Sequence, residues 1–284
     1  MFSYFTRPKG PCVNRKTETV TLTFSGTKLH FKAPGYSYAM IDQDEDDLLP
    51  VDYDLDDFSQ YRSVLYGSFN EEHPYDPEID IAGFGCFKSI WSFRKPLLGD
   101  KYDNGTLSFT LGVRHIARFG SLFKPQNMEK AAIESIDLTY GPKGWLAWED
   151  SKEQRFLGPL NWSIHHFQGL EWIHYFINEI HLKRGGRITW NIPLTEEHFL
   201  SFTFRDTGYP SEKLVKEFNR LAREIVETCE IDYSEAVQQQ IKKAKIEGLG
   251  PPYSTHREPQ VWDVYEQEAY DNHVKKYKQQ IGYF

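Results

Sequence analysis

Clustered carboxylates are the most prominent reactive groups of this chain, and such clusters bind hard cations or attract cationic proteins. Residues 33–87 hold fourteen Asp or Glu and one basic residue, Arg62. This segment contributes −13 to a net charge of −8, so the rest of the chain contributes +5. Nine of the acids lie within residues 42–57, which we call the acidic block: Asp42, Asp44, Glu45, Asp46, Asp47, Asp52, Asp54, Asp56 and Asp57.

The spacing of these acids decides between the two kinds of chemistry. Asp42, Asp44 and Asp46 alternate as in an EF-hand calcium loop. That loop also needs glycine at its sixth position and glutamate at its twelfth, where this chain has Asp47 and Tyr53. A calcium site of another geometry and a solvated segment without a partner stay open as alternatives. The favoured interpretation is a docking surface for a basic protein, because complementary charge raises the rate and specificity of association.

The histidines do not follow a known metal-binding pattern. His165, His166, His174 and His181 are close in sequence, and Glu171 precedes His174 in the Glu-x-x-His form. A di-iron bundle needs two such motifs on helices, and a zinc hydrolase needs His-Glu-x-x-His or a comparable spacing. We therefore predict no metal site and no cofactor.

Sequence motifs for nucleophilic catalysis are also missing. The chain has no Gly-x-Ser-x-Gly and no phosphate-binding glycine loop. Cys86 follows Gly83 and Gly85 and would become reactive if a histidine such as His115 approached it, but a buried structural cysteine is the more economical interpretation. Glu196, Glu197 and His198 are expected at a hairpin tip, where turns are usually polar. No catalytic residue is predicted.

The composition limits the class of protein. Aromatic residues make up 15% of the chain and hydrophobic residues 39%, which is enough for a core built on rings. The sequence pI of 5.7 and the absence of a dense basic stripe argue against nucleic-acid binding. No apolar run approaches a membrane span, the N-terminus has no secretory pattern, and the three cysteines are widely spaced. We expect a soluble, cytoplasmic protein that does not bind a membrane.

Strand patterns dominate the first two thirds of the chain. Val20, Leu22 and Phe24 alternate with threonines before Ser25-Gly26, and Leu29 and Phe31 alternate after it, which predicts a β-hairpin. The acidic block has no core-forming pattern, so residues 41–60 are predicted to be an exposed loop or an irregular edge. Further strands are expected at 61–69, 79–91, 106–119, 133–140 paired with 145–148, and 199–204, with a short helical turn within 124–132. Residues 170–182 fit a helix or a strand, and the turn at 184–187 favours a hairpin.

Helical patterns follow residue 210. Leu214, Phe218, Leu221 and Ile225 recur on one helical face, and Ser211 is a suitable N-cap. Ser234 is the expected cap of a second helix that ends near Lys245. Strands followed by helices predict an α+β fold: an antiparallel, β-rich sheet, either a sandwich or an open barrel, with C-terminal amphipathic helices. The predicted parts are a β-rich body (1–209) carrying the acidic loop, a helical segment packed on it (210–248) and an extended tail (249–284).

These observations favour a non-enzymatic protein-binding protein that presents an acidic docking face to a basic partner. One concrete form is an immunity-type or antitoxin-type inhibitor of that partner. The first alternative is a small-molecule or lipid-binding β-barrel or sandwich with an aromatic cavity. The second alternative is a hydrolase with a dispersed site drawn from a set of histidines and one acid: His165, His166, His174, Glu196 and His198.

Overall fold

The computed structural model describes residues 10–13, 17–35, 52–64, 75–78, 80–94, 103–140, 155–179, 186–207 and 211–263. The strands are β1 (Thr17–Phe24), β2 (Thr27–Pro34), β3 (Asp52–Tyr53), β4 (Arg62–Ser63), β5 (Ala82–Arg94), β6 (Asp103–His115), β7 (Arg155–Phe167), β8 (Leu170–Glu179), β9 (Arg187–Pro193), β10 (His198–Thr207), β11 (Glu230–Asp232) and β12 (Gln260–Asp263). The α-helices are α1 (Pro125–Tyr140), α2 (Glu212–Val226) and α3 (Glu235–Glu247).

The strands form two sheets. The main sheet has the order β12-β7-β8-β9-β10-β6-β5-β4, and every neighbouring pair in it is antiparallel. The small sheet has the order β11-β2-β1-β3, with β3 parallel to β1 at one edge. Within the described residues neither sheet closes into a barrel. The predicted α+β fold with an antiparallel sheet and C-terminal helices is confirmed.

The first hairpin has the predicted register and turn. Val20 lies opposite Phe31 and Leu22 opposite Leu29. Ser25 and Gly26 have φ angles of 45° and 83°, and positive φ at both central residues gives a turn whose twist matches that of the flanking strands. This geometry directs one face of the hairpin toward the main sheet, where Phe31 is only 1% exposed.

Aromatic rings join the two sheets. The ring of Phe31 lies 5.9 Å from that of Phe109 on β6 and 5.8 Å from that of Phe202 on β10, both in edge-to-face contact. Phe109 also stacks on Phe204 at 4.4 Å. Helix α2 packs on the same face of the main sheet through its apolar stripe: Leu214, Phe218, Leu221 and Ile225. These contacts make one continuous core between the small sheet, α2 and the main sheet.

Helix α1 covers the opposite face of the main sheet and corrects one prediction. Residues 133–140 were expected to form a strand, but they continue the helix that begins at Pro125. The turn chemistry of Gly141-Pro142-Lys143-Gly144, which follows this segment, suggested a strand pair. The burial instead follows helical spacing, with Met128, Ala132, Ile136 and Tyr140 all buried. The partner strand expected at 145–148 lies outside the described residues.

Strand β8, the helix caps and strand β12 bear on the remaining predicted elements. Residues 170–179 form strand β8, so the strand alternative for 170–182 is correct over the described part. Ser211 and Ser234 cap α2 and α3 by accepting hydrogen bonds from the backbone N–H of Leu214 and Val237. Within the predicted tail (249–284), strand β12 pairs with β7 of the main sheet. None of the described helices is long and apolar enough to cross a membrane.

The substitution Phe109→Ala tests the aromatic junction between the sheets. Phe109 is fully buried, so its removal leaves a cavity and should lower the free energy of unfolding by about 3–5 kcal/mol. Ile246→Ala is the control, because Ile246 is 87% exposed and its truncation should change stability by less than about 0.5 kcal/mol. Urea unfolding followed by circular dichroism measures both, and equal effects of the two substitutions would refute the role assigned to Phe109.

Candidate functional site

The described part of the acidic block is a turn with outward-facing carboxylates. We call residues 52–57 the acidic turn. Asp52, Asp54, Asp56 and Asp57 are all exposed there. The other five predicted partner-binding acids lie outside the described residues: Asp42, Asp44, Glu45, Asp46 and Asp47.

Alternate residues of the acidic turn are buried, which corrects the expectation that this segment contributes nothing to the core. Tyr53 and Leu55 are each 3% exposed. Two hydrogen bonds tie them to the first hairpin: Ser25 N–H donates to the Tyr53 carbonyl, and Leu55 N–H donates to Ser25 Oγ, both at 2.9 Å. The turn is therefore attached to the small sheet at its edge.

Two of the four carboxylates also hold the turn in shape. Asp54 Oδ1 accepts a hydrogen bond from Asp56 N–H at 3.0 Å. Asp57 Oδ1 accepts one from Ser59 N–H at 3.0 Å and so caps a short 3₁₀ helix, Phe58–Gln60. The hydrogen bonding from Ser59 stabilises the ionised form of Asp57 and lowers its pKa. Among the described residues, Asp52 and Asp56 have no side-chain hydrogen bond, so their charges are presented to solvent.

A series of contacting aromatic rings packs against the buried side of the acidic turn. We call it the aromatic ladder, and its members are Phe24, Tyr53, Phe84, Tyr61, Phe58 and Tyr75. Successive ring centroids along it lie 4.8–5.4 Å apart. Two hydroxyls fix its orientation, because Tyr53 donates to the Cys86 carbonyl and Tyr61 donates to the Leu55 carbonyl, each at 3.0 Å.

A pair of histidines lies at the end of the aromatic ladder. His115 on β6 and His198 on β10 face each other across the strand register, with ring centroids 4.6 Å apart. The Tyr75 hydroxyl donates to His115 Nδ1 at 2.6 Å, and His115 Nε2 donates toward Glu197 Oε2 at 3.4 Å. Thr195 binds His198 Nδ1 at 2.8 Å, while His198 Nε2 has no partner among the described residues.

Burial keeps this histidine pair neutral. Desolvation lowers the pKa of His115, and the carboxylate of Glu197 opposes the shift. Desolvation, followed by the neighbouring His115, lowers the pKa of His198 to about 3. The two neutral rings, one bonded to Tyr75 and the other to Thr195, act as packing groups beneath the acidic turn.

The residues of the hydrolase alternative lie in three different parts of the structure and do not form one site. His198 belongs to the buried pair, whereas the Glu196 N–H binds Gln240 Oε1 on α3 at 3.0 Å. His165 and His174 lie on the α2 side of β7 and β8, where Ser163 Oγ is 2.9 Å from His165 Nε2 and 3.2 Å from His174 Nδ1. The exposed ring of His166 pairs with Glu171 instead.

The Ser163 cluster lacks the parts of a catalytic triad. Burial lowers the pKa of His174 to about 4, so its ring is neutral. No described carboxylate hydrogen-bonds to His165 to orient it as a general base. Nowhere among the described residues do three or more His, Cys, Asp or Glu side chains gather in a group able to hold a metal ion.

Cys86 lies in the interior of the protein. Cys86 is fully buried and donates to the Leu111 carbonyl at 3.3 Å. Burial raises the pKa of its thiol, and a buried thiol with a raised pKa is typical of a structural cysteine.

A cavity of about 530 Å³ lies between the segment before α1, the β9–β10 turn and α3. Its lining is mainly polar, with Ser121, Lys124 and Glu196 among the residues, so it differs from the aromatic cavity of the small-molecule alternative.

Comparisons with known proteins give little help. No family model and no curated protein matches the chain. Among solved structures, the chain is similar to LpqN, which is involved in cell envelope biogenesis of Mycobacterium tuberculosis. The two share 11% identity over 77% of this chain and 92% of that one, with a TM-score of 0.30. A similarity this weak supports no functional argument.

The neutral state of His198 is directly measurable. With a pKa of about 3, its ring should stay uncharged in the folded protein at pH 5. Between about pH 6.5 and pH 3 the unfolded chain binds a proton that the folded chain does not. The free energy of unfolding should therefore fall as the pH falls, by up to about 1.4 kcal/mol per pH unit from this group. An NMR titration of the ring carbons reports the folded state, with the urea-unfolded chain as control. A folded-state midpoint near 6.5 would contradict the burial argument.

Thiol labelling tests the environments of the cysteines. Cys86 and Cys229 are fully buried, whereas Cys12 is partly exposed. Iodoacetamide at neutral pH should label Cys12 in the folded chain and all three thiols in urea, because only an accessible thiolate reacts. Rapid labelling of Cys86 in the folded chain, detected by mass spectrometry of peptides, would reverse the structural assignment.

Proposed function

We propose that this chain is a protein-binding protein rather than an enzyme, and that the acidic turn is its docking surface for a basic partner protein. One observation carries the proposal: four exposed carboxylates alternate with, or follow, residues that are buried in the core. Asp52, Asp54 and Asp56 flank the buried Tyr53 and Leu55. The charge is thus fixed to a rigid body rather than carried on a free loop.

Pre-organisation is what makes such a turn useful for binding. A partner that docks on an already ordered surface avoids the entropy cost of ordering it. The hydrogen bonds accepted by Asp54 and Asp57 hold two of the charges in position, and Asp52 and Asp56 extend freely into solvent. Complementary fields would steer a cationic protein to this surface and disfavour acidic competitors.

The concrete form that we propose is inhibition of the partner, as in immunity-type or antitoxin-type proteins. An acidic turn that covers a cationic active-site cleft would block substrate entry while gaining affinity from charge pairs. The small-molecule and hydrolase alternatives have less support, because the described cavity is polar and the hydrolase residues are dispersed.

Neutralising the acidic turn without breaking it tests this proposal. In the variant D52N/D54N/D56N/D57N each asparagine keeps an oxygen that can accept the hydrogen bonds now made by Asp54 and Asp57. The control variant E171Q/E230Q/E235Q/E258Q removes four exposed carboxylates elsewhere, so both variants change the net charge equally. Tagged versions of each are crosslinked in the native host, and the captured proteins are quantified by mass spectrometry.

We expect a basic protein that is captured by the wild type and by the control, with capture by the acidic-turn variant reduced about tenfold or more. Its association should also weaken with added salt, because salt screens exposed charges. Identical captured proteins for all three versions, or a captured partner that is acidic, would refute the proposal. Circular dichroism spectra of both variants serve as the control for folding.

A further inference from the structure

The polar cavity of about 530 Å³ has two walls of different charge. Its first wall consists of α3 and the segment before α1, which contribute Lys124, Lys243 and Glu247. Lys124 Nζ donates to Glu247 Oε2 at 2.7 Å. This hydrogen bond and the charge of Lys124, followed by the charge of Lys243, lower the pKa of Glu247. The cations of the first wall therefore already face an anion of their own wall.

The second wall is the β9–β10 turn, residues 194–197, which contributes two neighbouring carboxylates. Glu196 and Glu197 both line the cavity. Leu122 N–H donates to the Glu196 carbonyl and Ile116 N–H donates to the Glu197 carbonyl, each at 2.8 Å. The Glu196 N–H donates to Gln240 Oε1 on α3 at 3.0 Å. These backbone hydrogen bonds anchor the turn that carries both carboxylates.

The carboxylates of the second wall have no cationic partner in the part of the chain that the structure describes. Glu197 is 3.4 Å from His115 Nε2, and burial lowers the pKa of that ring and keeps it neutral. Arg118, which precedes the lining segment, pairs with Glu134 instead. Glu196 forms no described ion pair. The second wall therefore presents two negative charges that a bound cation would neutralise.

Ser121 adds an unpaired polar group to the same cavity. It belongs to the lining, and its Oγ is buried without a hydrogen-bond partner among the described residues. Buried polar atoms are nearly always paired, and each exception suggests a missing partner. A change of its χ1 rotamer would direct this hydroxyl into the cavity. The cavity therefore suits a cation that carries several hydrogen-bond donors.

The second wall and the acidic turn lie on either side of one histidine. Glu197 contacts His115, and the His115 ring lies 5.1 Å from the ring of Phe58, which directly follows Asp57. Burial lowers the pKa of His115, and the charges of Glu197 and Asp56 both oppose this shift. A partner that docks on the acidic turn would therefore be close to the cavity.

We propose that the cavity receives one arginine side chain of the basic partner, an inference that rests on the proposed docking function and makes it more specific. The guanidinium would pair with Glu196 and Glu197, because its planar donors match carboxylate oxygens. A remaining N–H would donate to Ser121 Oγ. The methylene stem would lie on the apolar part of the lining, Phe119 and Ala244. Arginines that fill a pocket in this way often dominate the affinity of an interface.

Nα-acetyl-arginine amide is the probe for this proposal, and Nα-acetyl-citrulline amide is its matched comparison, with the same shape but an uncharged urea group. In NMR spectra of the full chain, the arginine probe should shift the amide signals of Gly120, Ser121, Glu196 and Glu197, with a Kd near ~1 mM. The citrulline probe should bind about fivefold more weakly or worse, because it forms no charge-assisted hydrogen bonds.

Two variants determine the sign of the charge that the cavity prefers. E196Q/E197Q should weaken binding of the arginine probe about fivefold or more, while the backbone hydrogen bonds of the turn are kept. Lys243→Gln should leave the affinity unchanged or raise it by up to about twofold, because it removes a like charge. The control E230Q/E258Q removes two exposed carboxylates elsewhere and should not change the affinity.

Three results would overturn the proposal: no shift at the cavity with the arginine probe, equal affinity for the citrulline probe, or weaker binding by Lys243→Gln, as an anionic ligand would show. E196Q/E197Q should also reduce crosslinked capture of the basic partner about fivefold or more, and unchanged capture would contradict the anchoring role.

The docking proposal can fail separately from this one. The variant D52N/D54N/D56N/D57N should bind the arginine probe within about twofold of the wild type, because its exposed charges lie outside the cavity and are screened by salt. Probe binding without a captured basic partner would refute the docking proposal alone. Capture of a basic partner without probe binding would refute the arginine site alone.

Discussion

The contact on which the acidic turn depends is its burial against the aromatic ladder. Tyr53 stacks between Phe24 of the small sheet and Phe84 of the main sheet, at 5.4 and 5.3 Å. Burying a side chain such as Tyr53 or Leu55 contributes about 2 kcal/mol each. The carboxylates beside them are exposed, where water and salt weaken their mutual repulsion. Burial therefore outweighs repulsion, and a segment that is strongly acidic in sequence is fixed at the junction of the two sheets.

The two faces of the main sheet provide different chemistry from the same strands. On β6, His115 faces the aromatic ladder and pairs with His198, while Arg114 faces the α1 side, where burial lowers its pKa. The alternation of the strand separates a packing group from a charged group only one residue away. The same strand therefore contributes a packing group to the aromatic ladder on one face of the sheet and a basic group to the α1 side on the other.

The sequence was sufficient for features that depend on local pattern. The hairpin around Ser25-Gly26 and the caps at Ser211 and Ser234 follow from short-range rules that the fold obeys. Residues 133–140 were wrongly predicted to be a strand, because the turn signal at residues 141–144 was given more weight than the helical spacing before it. The anchors of the acidic turn were missed although Tyr53 and Leu55 alternate with Asp52, Asp54 and Asp56, which is a half-buried pattern. The His115–His198 contact depends on the register of distant strands, which no local pattern contains.

Site-specific photo-crosslinking tests the docking claim most directly. A photoreactive residue placed at position 56 lies on the exposed side of the acidic turn, and one at position 230 lies on the exposed edge strand β11. The account predicts a crosslink from position 56 to a basic protein in the native host, none from position 230, and loss of the crosslink at high salt. A basic partner that crosslinks at position 230 but not at position 56 would contradict it.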